Sequence, residues 1–191
     1  NKYKFNSENV SYFRNSEDLI SQKKSSIEDG NGNIYKLESF KYNINKELLK
    51  GKEVDVFAKV DKNKIDKYFF SEGIFDFKNQ SHIAKETKIK THKDVFGDKS
   101  NDPRIYGSTS LSDQSKTIVN NAIFTSCKLN DDCPPWSIKA EKITHDKIKK
   151  DMIYKNAVIK IYDTPILYFP KQFFLYLEHR VLAHSQLLNA L

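Results

Sequence analysis

A chain of 191 residues with an apolar share of 38% has room for one domain and a thin core. Lys and Arg number 32 against 25 Asp and Glu, and the formal net charge of +7 favours anionic partners without choosing among nucleic acid, phosphorylated lipid and acidic protein. No uncharged stretch reaches the roughly 20 residues of a membrane-spanning helix, and no basic start leads into an apolar run, which points to a soluble portion of a mature or truncated chain.

The opening NKYKFNSENV begins abruptly in strand-like sequence, as a fragment would, and Phe5 and Leu19 fall where an incomplete first copy of a repeat would put them. Asp29, Asn31 and Asn33 resemble the start of a calcium loop, but Ile34 stands where the sharp turn needs glycine and Phe40 where a bidentate glutamate belongs. The run is expected to be a plain turn before a strand from Ile34 to Tyr42. Further on, Val54, Asp55, Val56, Phe57 and Lys88, Ile89, Lys90, Thr91 alternate as half-buried strands do.

The spacing of these strands is the main signal. Val54, Ile89, Phe124 and Ile159 are separated by 35 residues each, and Asn121 to Phe124 is echoed by Asn156 to Ile159 at the same interval. Phe40, Ile74, Leu111 and Ile143 mark the preceding strands at 34, 37 and 32. Repeats of this length mean stacked units sharing a core. Because the units are rich in Ile, Val, Tyr, Phe and Thr, the expectation is an all-β array of about ten strands, two per repeat.

The clearest unit runs from Trp136 to Pro170. Trp136, Ile138 and Ala140 alternate with Ser137, Lys139 and Glu141, a lysine-rich link follows, and Ala157, Ile159 and Ile161 alternate again before the Pro-bounded run Pro165 to Pro170. The tail from Gln172 to Leu191 lacks alternation and is expected to be irregular or a short amphipathic helix outside the repeats. Cys127 and Cys133 are either unpaired thiols or, in an oxidising compartment, disulfide partners of each other or of a further part of the chain.

No catalytic, metal-binding or cofactor-holding set emerges. His82, His92, His145, His179 and His184 are scattered, and neither a nucleophile elbow nor a phosphate-cradling glycine loop occurs. Lys142, Lys147, Lys149, Lys150 and Lys155 read as a solvated face rather than a nucleic-acid site, since no base-reading motif accompanies them. The remaining candidate is the apolar face itself. Phe40, Ile74, Leu111, Phe124, Ile138, Ala140, Ile143 and Ile159 are expected to point inward, either as plain core or as the wall of a trough for acyl chains.

The run Thr125 to Pro170, with TSC, CPPWSIKAEKITHD and YKNAVIKIYDTPILYFP, resembles the periplasmic N-terminal domain of the LptD family of OstA-like LPS-assembly proteins, and looser likeness extends over residues 1–171. Trp136, Ala140, Ile143, Asp146, Asn156, Ala157, Pro165, Tyr168 and Pro170 carry it. The resemblance implies a β-jellyroll of stacked, V-shaped strand pairs at the periplasmic face of a Gram-negative outer membrane. Its interior would receive lipopolysaccharide acyl chains from the bridge protein LptA, stacked edge to edge. A following membrane barrel would meet the lipoprotein LptE, and Cys127 matches a cysteine that pairs with that barrel. The domain is thus expected over 1–171 and an atypical tail over 172–191. A free-standing bridge of the LptA or LptC kind is the alternative. From other classes, a basic nucleic-acid-binding module and a carbohydrate-active β-solenoid stay open.

Overall fold

The computed structural model describes residues 3–61, 63–96, 101–128, 135–149 and 151–176. Six short strands come first: β1 (Lys4–Ser7), β2 (Ser11–Phe13), β3 (Asp18–Ser21), β4 (Ser25–Glu28), β5 (Ile34–Leu37) and β6 (Ser39–Asn43). Eight long ones follow: β7 (Leu48–Asp61), β8 (Lys64–Asp76), β9 (Ser81–Lys90), β10 (Arg104–Ser112), β11 (Lys116–Thr125), β12 (Trp136–Asp146), β13 (Asp151–Ile161) and β14 (Thr164–Tyr176). A 3-10 turn at Lys93–Phe96 is the other element among the described residues. All fourteen strands join one antiparallel sheet that does not close on itself. The all-β, open jellyroll-like class expected from the sequence is what the chain adopts.

The sheet is a meander. β4 pairs with β1 and β5 while β3 pairs with β2 and β6, and β7 takes both β5 and β6 as partners. Each early couple is therefore one bent strand cut at its bend. From β7 onward the strands bend without being cut, and the bend has a backbone cause. Glu53, Glu86, Asn121 and Asn156 hold left-handed φ of 47°, 49°, 47° and 48°. The ladders skip the column Glu53, Ser71, Glu86, Ser108, Asn121, Glu141, Asn156, which the flanking pairs place side by side. A left-handed residue inside a strand breaks pairing and turns two successive side chains outward, so the inward phase shifts there. In β9, for example, Ala84 and Thr87 are buried while Lys85 and Glu86 between them are exposed. The bend residues recur at 33, 35 and 35, which is the physical source of the repeat.

The fold line divides the sheet into two wings. One ends in the tight hairpins and is called the turn wing. The other carries the two long connections, 91–103 and 126–135, beside short ones at 62–63 and 162–163, and is called the loop wing. Four of the tight turns share one device. Backbone amides are accepted by Asn43 Oδ1 from Lys46, by Asp76 Oδ1 from Asn79, by Asp113 Oδ1 from Ser115 and Lys116, and by Asp146 Oδ1 from Ile148 and Lys149, at 2.8–3.0 Å. These side chains substitute for backbone in closing the turn. At the other end Asp29 Oδ1 accepts the amides of Asn31 and Asn33, both at 2.9 Å, so the calcium-like run is a plain turn as expected.

The wings enclose two joined cores. The N-terminal one gathers Ile27, Leu37, Phe40, Tyr42, Leu49, Val54, Phe70 and Phe75, and the C-terminal one Val119, Ala122, Phe124, Ile138, Ala140, Ile143, Tyr154 and Ala157; Tyr68 packs against both. Beside the fold line the wings trade bulk along the stack. In the N-terminal half the turn wing supplies Gly51, Gly73 and Ala84 opposite Val54 and Phe70. In the C-terminal half the loop wing supplies Ala122, Ala140 and Ala157 opposite Ile143 and Tyr154. Large must face small where two sheets converge, since interiors tolerate neither voids nor overlap. The exchange occurs at Thr87, whose buried hydroxyl donates to Ser110 Oγ at 2.8 Å.

Candidate functional site

Six of the eight residues expected on the inner face are there. Phe40, Phe124, Ile138, Ala140 and Ile143 are buried, and Ile159 packs on the C-terminal core. Ile74 and Leu111 are not: they lie on the outer face, 41% and 43% exposed. Register gives the reason. Phe40 opposes Gly51, Gly51 opposes Gly73, Gly73 opposes Ala84, Ala84 opposes Ser110, and the column continues through Val119 to Ile143. The inward residues are thus Gly73 and Ser110, and a slip of one residue sends a side chain to the opposite face.

The row of Val54, Ile89, Phe124 and Ile159 needs a smaller correction. All four face the interior, but Ile89 stands in line with Tyr68 and Val56, so Val56 belongs to the row of Ile89, Phe124 and Ile159 while Val54 lies one inward position nearer the fold line. The tail needs another. β14 continues without interruption past residue 171 to Tyr176, pairing Lys155 with Gln172 and Asp151 with Tyr176. Residues 177–191 lie outside the described residues, as does Cys133. Cys127 has a free, half-buried thiol 3.6 Å from the carbonyl of Trp136, within the reach of a weak S–H donor.

The interior is packed along most of its length and opens where the wing tips part in the N-terminal half. This cleft of about 320 Å³ has Val56, Ala58 and Tyr68 of the loop wing on one side and Phe75, Phe77 and His82 of the turn wing on the other. Its size is at the lower end of the roughly 300–1,000 Å³ typical of ligand pockets. The floor is aromatic. Tyr35 stands 5.6 Å from Phe75 and 5.1 Å from Phe77 between ring centroids, and Phe70 stands 5.7 Å from Phe75. The turn-wing lip is polar, because His82, Ser112, Thr117 and His145 occupy one inward column and Lys147 closes it. Lys147 Nζ donates to Ser112 Oγ at 3.0 Å.

Burial governs the protonation of these groups. His82, between the rings of Phe70 and Phe75, is pushed down to about 4 by burial and then by the nearby Lys147 ammonium. His145 moves in the same direction for the same two reasons. Burial also draws the Lys147 ammonium below the usual lysine range, partly offset by Asp113, and pushes the hydroxyls of Tyr35 and Tyr68 well above the usual phenol range. At neutral pH the cleft is therefore lined by uncharged rings and hydroxyls, with Lys147, Asp29 and Asp76 as the charges on its lip. Among the described residues no group of three or more His, Cys, Asp or Glu side chains could hold a metal ion, and no helix is long and apolar enough to cross a membrane.

The aromatic floor of the cleft escaped the sequence reading. Phe75 and Phe77 alternate in the segment that also holds Ile74, and choosing Ile74 as inward discarded both. No protein-family model matches the chain, and comparison with curated proteins finds no match either.

Proposed function

We propose that this chain is a non-catalytic lipid conduit of the LptD type, which takes acyl chains of lipopolysaccharide between its wings at the periplasmic face of the outer membrane. The observation that carries this reading is the aromatic cleft: two wings of one open sheet enclose an apolar interior that reaches solvent through a mouth floored by Tyr35, Tyr68, Phe70, Phe75 and Phe77. Burying an acyl chain there gains about 0.8 kcal/mol per CH₂ and requires no catalytic group. The cleft is small for a multi-acyl lipid, so fuller entry requires the wings to part about the fold line.

Both ends of the sheet support a place in a chain of such modules. Among the described residues, β1 and β2 at one end and β14 at the other have a paired strand on one side only, and a free edge is a template for another strand. Edge stacking onto LptA follows from the resemblance and suits these edges. The same edges favour the second reading, a free-standing bridge of the LptA or LptC kind. Titration calorimetry with lipopolysaccharide and with its fully deacylated form separates apolar binding from attraction to a basic protein. Saturable binding only of the acylated form is expected, and equal binding of both would overturn the proposal.

A further inference from the structure

The outer face of the loop wing carries two adjoining columns set by register. One includes Lys36, Asp55, Phe69, Lys88, Tyr106, Ile123, Lys139, Val158, Tyr168, and the other begins Lys4, Glu28, Ile34, Phe57, Lys67, Lys90. Lys36, Lys67, Lys88, Lys90 and Lys139 are exposed, and the carboxylates in these columns are Asp55 and Glu28, the latter paired with Lys4 at 3.3 Å. The ammonium groups of Lys36 and Lys67 lie 5.1 and 5.7 Å from the centre of the Phe57 ring, and that of Lys88 lies 4.9 Å from the centre of Phe69. The outer face of the turn wing differs. Its Lys85 is paired with Glu72 at 3.1 Å, and Asp76, Asp113 and Asp146 line its hairpins. Lysines thus lie on both outer faces, Lys50, Lys52 and Lys142 among those of the turn wing, but fewer carboxylates stand among them on the loop wing.

We propose that the outer face of the loop wing docks on an anionic lipid bilayer. Its chemistry matches that surface on three counts. The exposed cations named are all lysines, while Arg104 beside Lys90 is buried, and they are spread as point charges over a broad face, which suits a plane of anionic headgroups rather than a few phosphates held in fixed bidentate geometry. Aromatic and aliphatic side chains, with Ile123 39% and Tyr168 57% exposed, are interleaved with the lysines, as interfacial surfaces require. Phe57 and Phe69 have ammonium groups over their rings, which leaves them poor platforms for stacking nucleic-acid bases.

The test is flotation with vesicles of phosphatidylcholine alone and of phosphatidylcholine mixed with phosphatidylglycerol, at low and physiological salt. The chain should float with the mixed vesicles only, and less as salt rises. Lys88→Gln/Lys90→Gln/Lys139→Gln should lower the binding constant at least about tenfold. Lys50→Gln/Lys52→Gln/Lys142→Gln removes the same charge from the turn wing and should leave binding within about twofold of the parent. Equal loss from the two triple variants would reduce the effect to net charge and overturn the proposal. So would absence of binding to the mixed vesicles, or tighter binding of duplex DNA through the same three lysines. Because neither vesicle contains lipopolysaccharide, the result is independent of the interior reading.

Discussion

Adjacent residues on opposite faces give the sharpest test of the architecture. Phe75 is 3% exposed, with the rings of Tyr35, Phe70 and His82 at 5.6, 5.7 and 5.6 Å, while its neighbour Ile74 is 41% exposed and faces Lys50 and Ile83 across the strands. Truncating a buried Phe to Ala costs about 3–5 kcal/mol, from lost burial and from the void left behind. Because the cleft borders Phe75, surrounding rings can relax into the gap and the lower end, about 3 kcal/mol, is expected for Phe75→Ala. Ile74→Ala removes a side chain that already keeps much of its surface in water and should cost under about 1 kcal/mol. Urea unfolding followed by far-ultraviolet circular dichroism and Trp136 fluorescence measures both, with an unchanged slope as the sign that only stability moved. Equal costs, or the larger cost at Ile74, would mean that β8 is registered one residue away and would refute the face assignment.

Three further outcomes follow from the same geometry. Glu86 holds φ 49° in mid-strand, so Glu86→Gly should stabilise by up to about 1 kcal/mol and Glu86→Val should destabilise by at least as much; similar effects of the two in thermal unfolding would argue against a left-handed bend. A Cβ on Gly107 would stand 2.2 Å from Val119 Cγ1 and 2.9 Å from the carbonyl oxygen of Asn120, so Gly107→Ala should cost about 1–3 kcal/mol by overpacking, and a neutral result in urea would show that the wings have slack there. His82 is neutral when folded down to about pH 4 but takes up a proton near 6.5 when unfolded, so its contribution is present above 6.5 and is lost as pH falls toward 4, by about 3 kcal/mol, with His145 acting in the same direction. Urea midpoints across that window should fall, and His82→Phe should flatten much of the fall; an unchanged slope would place the titration elsewhere. Asp18 and Asp113, both held near 2, lose their contribution only below about pH 4 and leave that window clear.

The sequence displayed strand type and period because alternation and the 35-residue echo of Asn121 to Phe124 are local. It also placed Ile138, Ala140 and Ile143 on one face, though Glu141 and Lys142 interrupt the alternation between the last two. Elsewhere the hydrophobic signal pointed the wrong way. Around Gly73 and Ser110 the inner face is built from small residues to admit Phe70 and Phe75, while Ile74, Ile83 and Leu111 lie outside, so apolarity selected the outer face. The bends were hidden as well. Left-handed positions usually announce themselves as glycine, but here Glu53, Glu86, Asn121 and Asn156 adopt them. Without those phase shifts the row of Val56 was read through Val54. The extent of β14 was missed for a different reason. Its residues beyond Lys171 pair with β13 as a strand although the local sequence lacks alternation, so long-range pairing overrides local pattern.

The central claim is that acyl chains enter between the wings. Photo-crosslinking amino acids placed singly at Ala58 and Phe77, which line the cleft without being fully buried, and at outward Leu111 and Ile83 of the turn wing measure it directly. The account predicts that lipopolysaccharide is captured from Ala58 and Phe77 and not from Leu111 or Ile83. Capture of equal strength from all four positions, or from the outward pair alone, would contradict it.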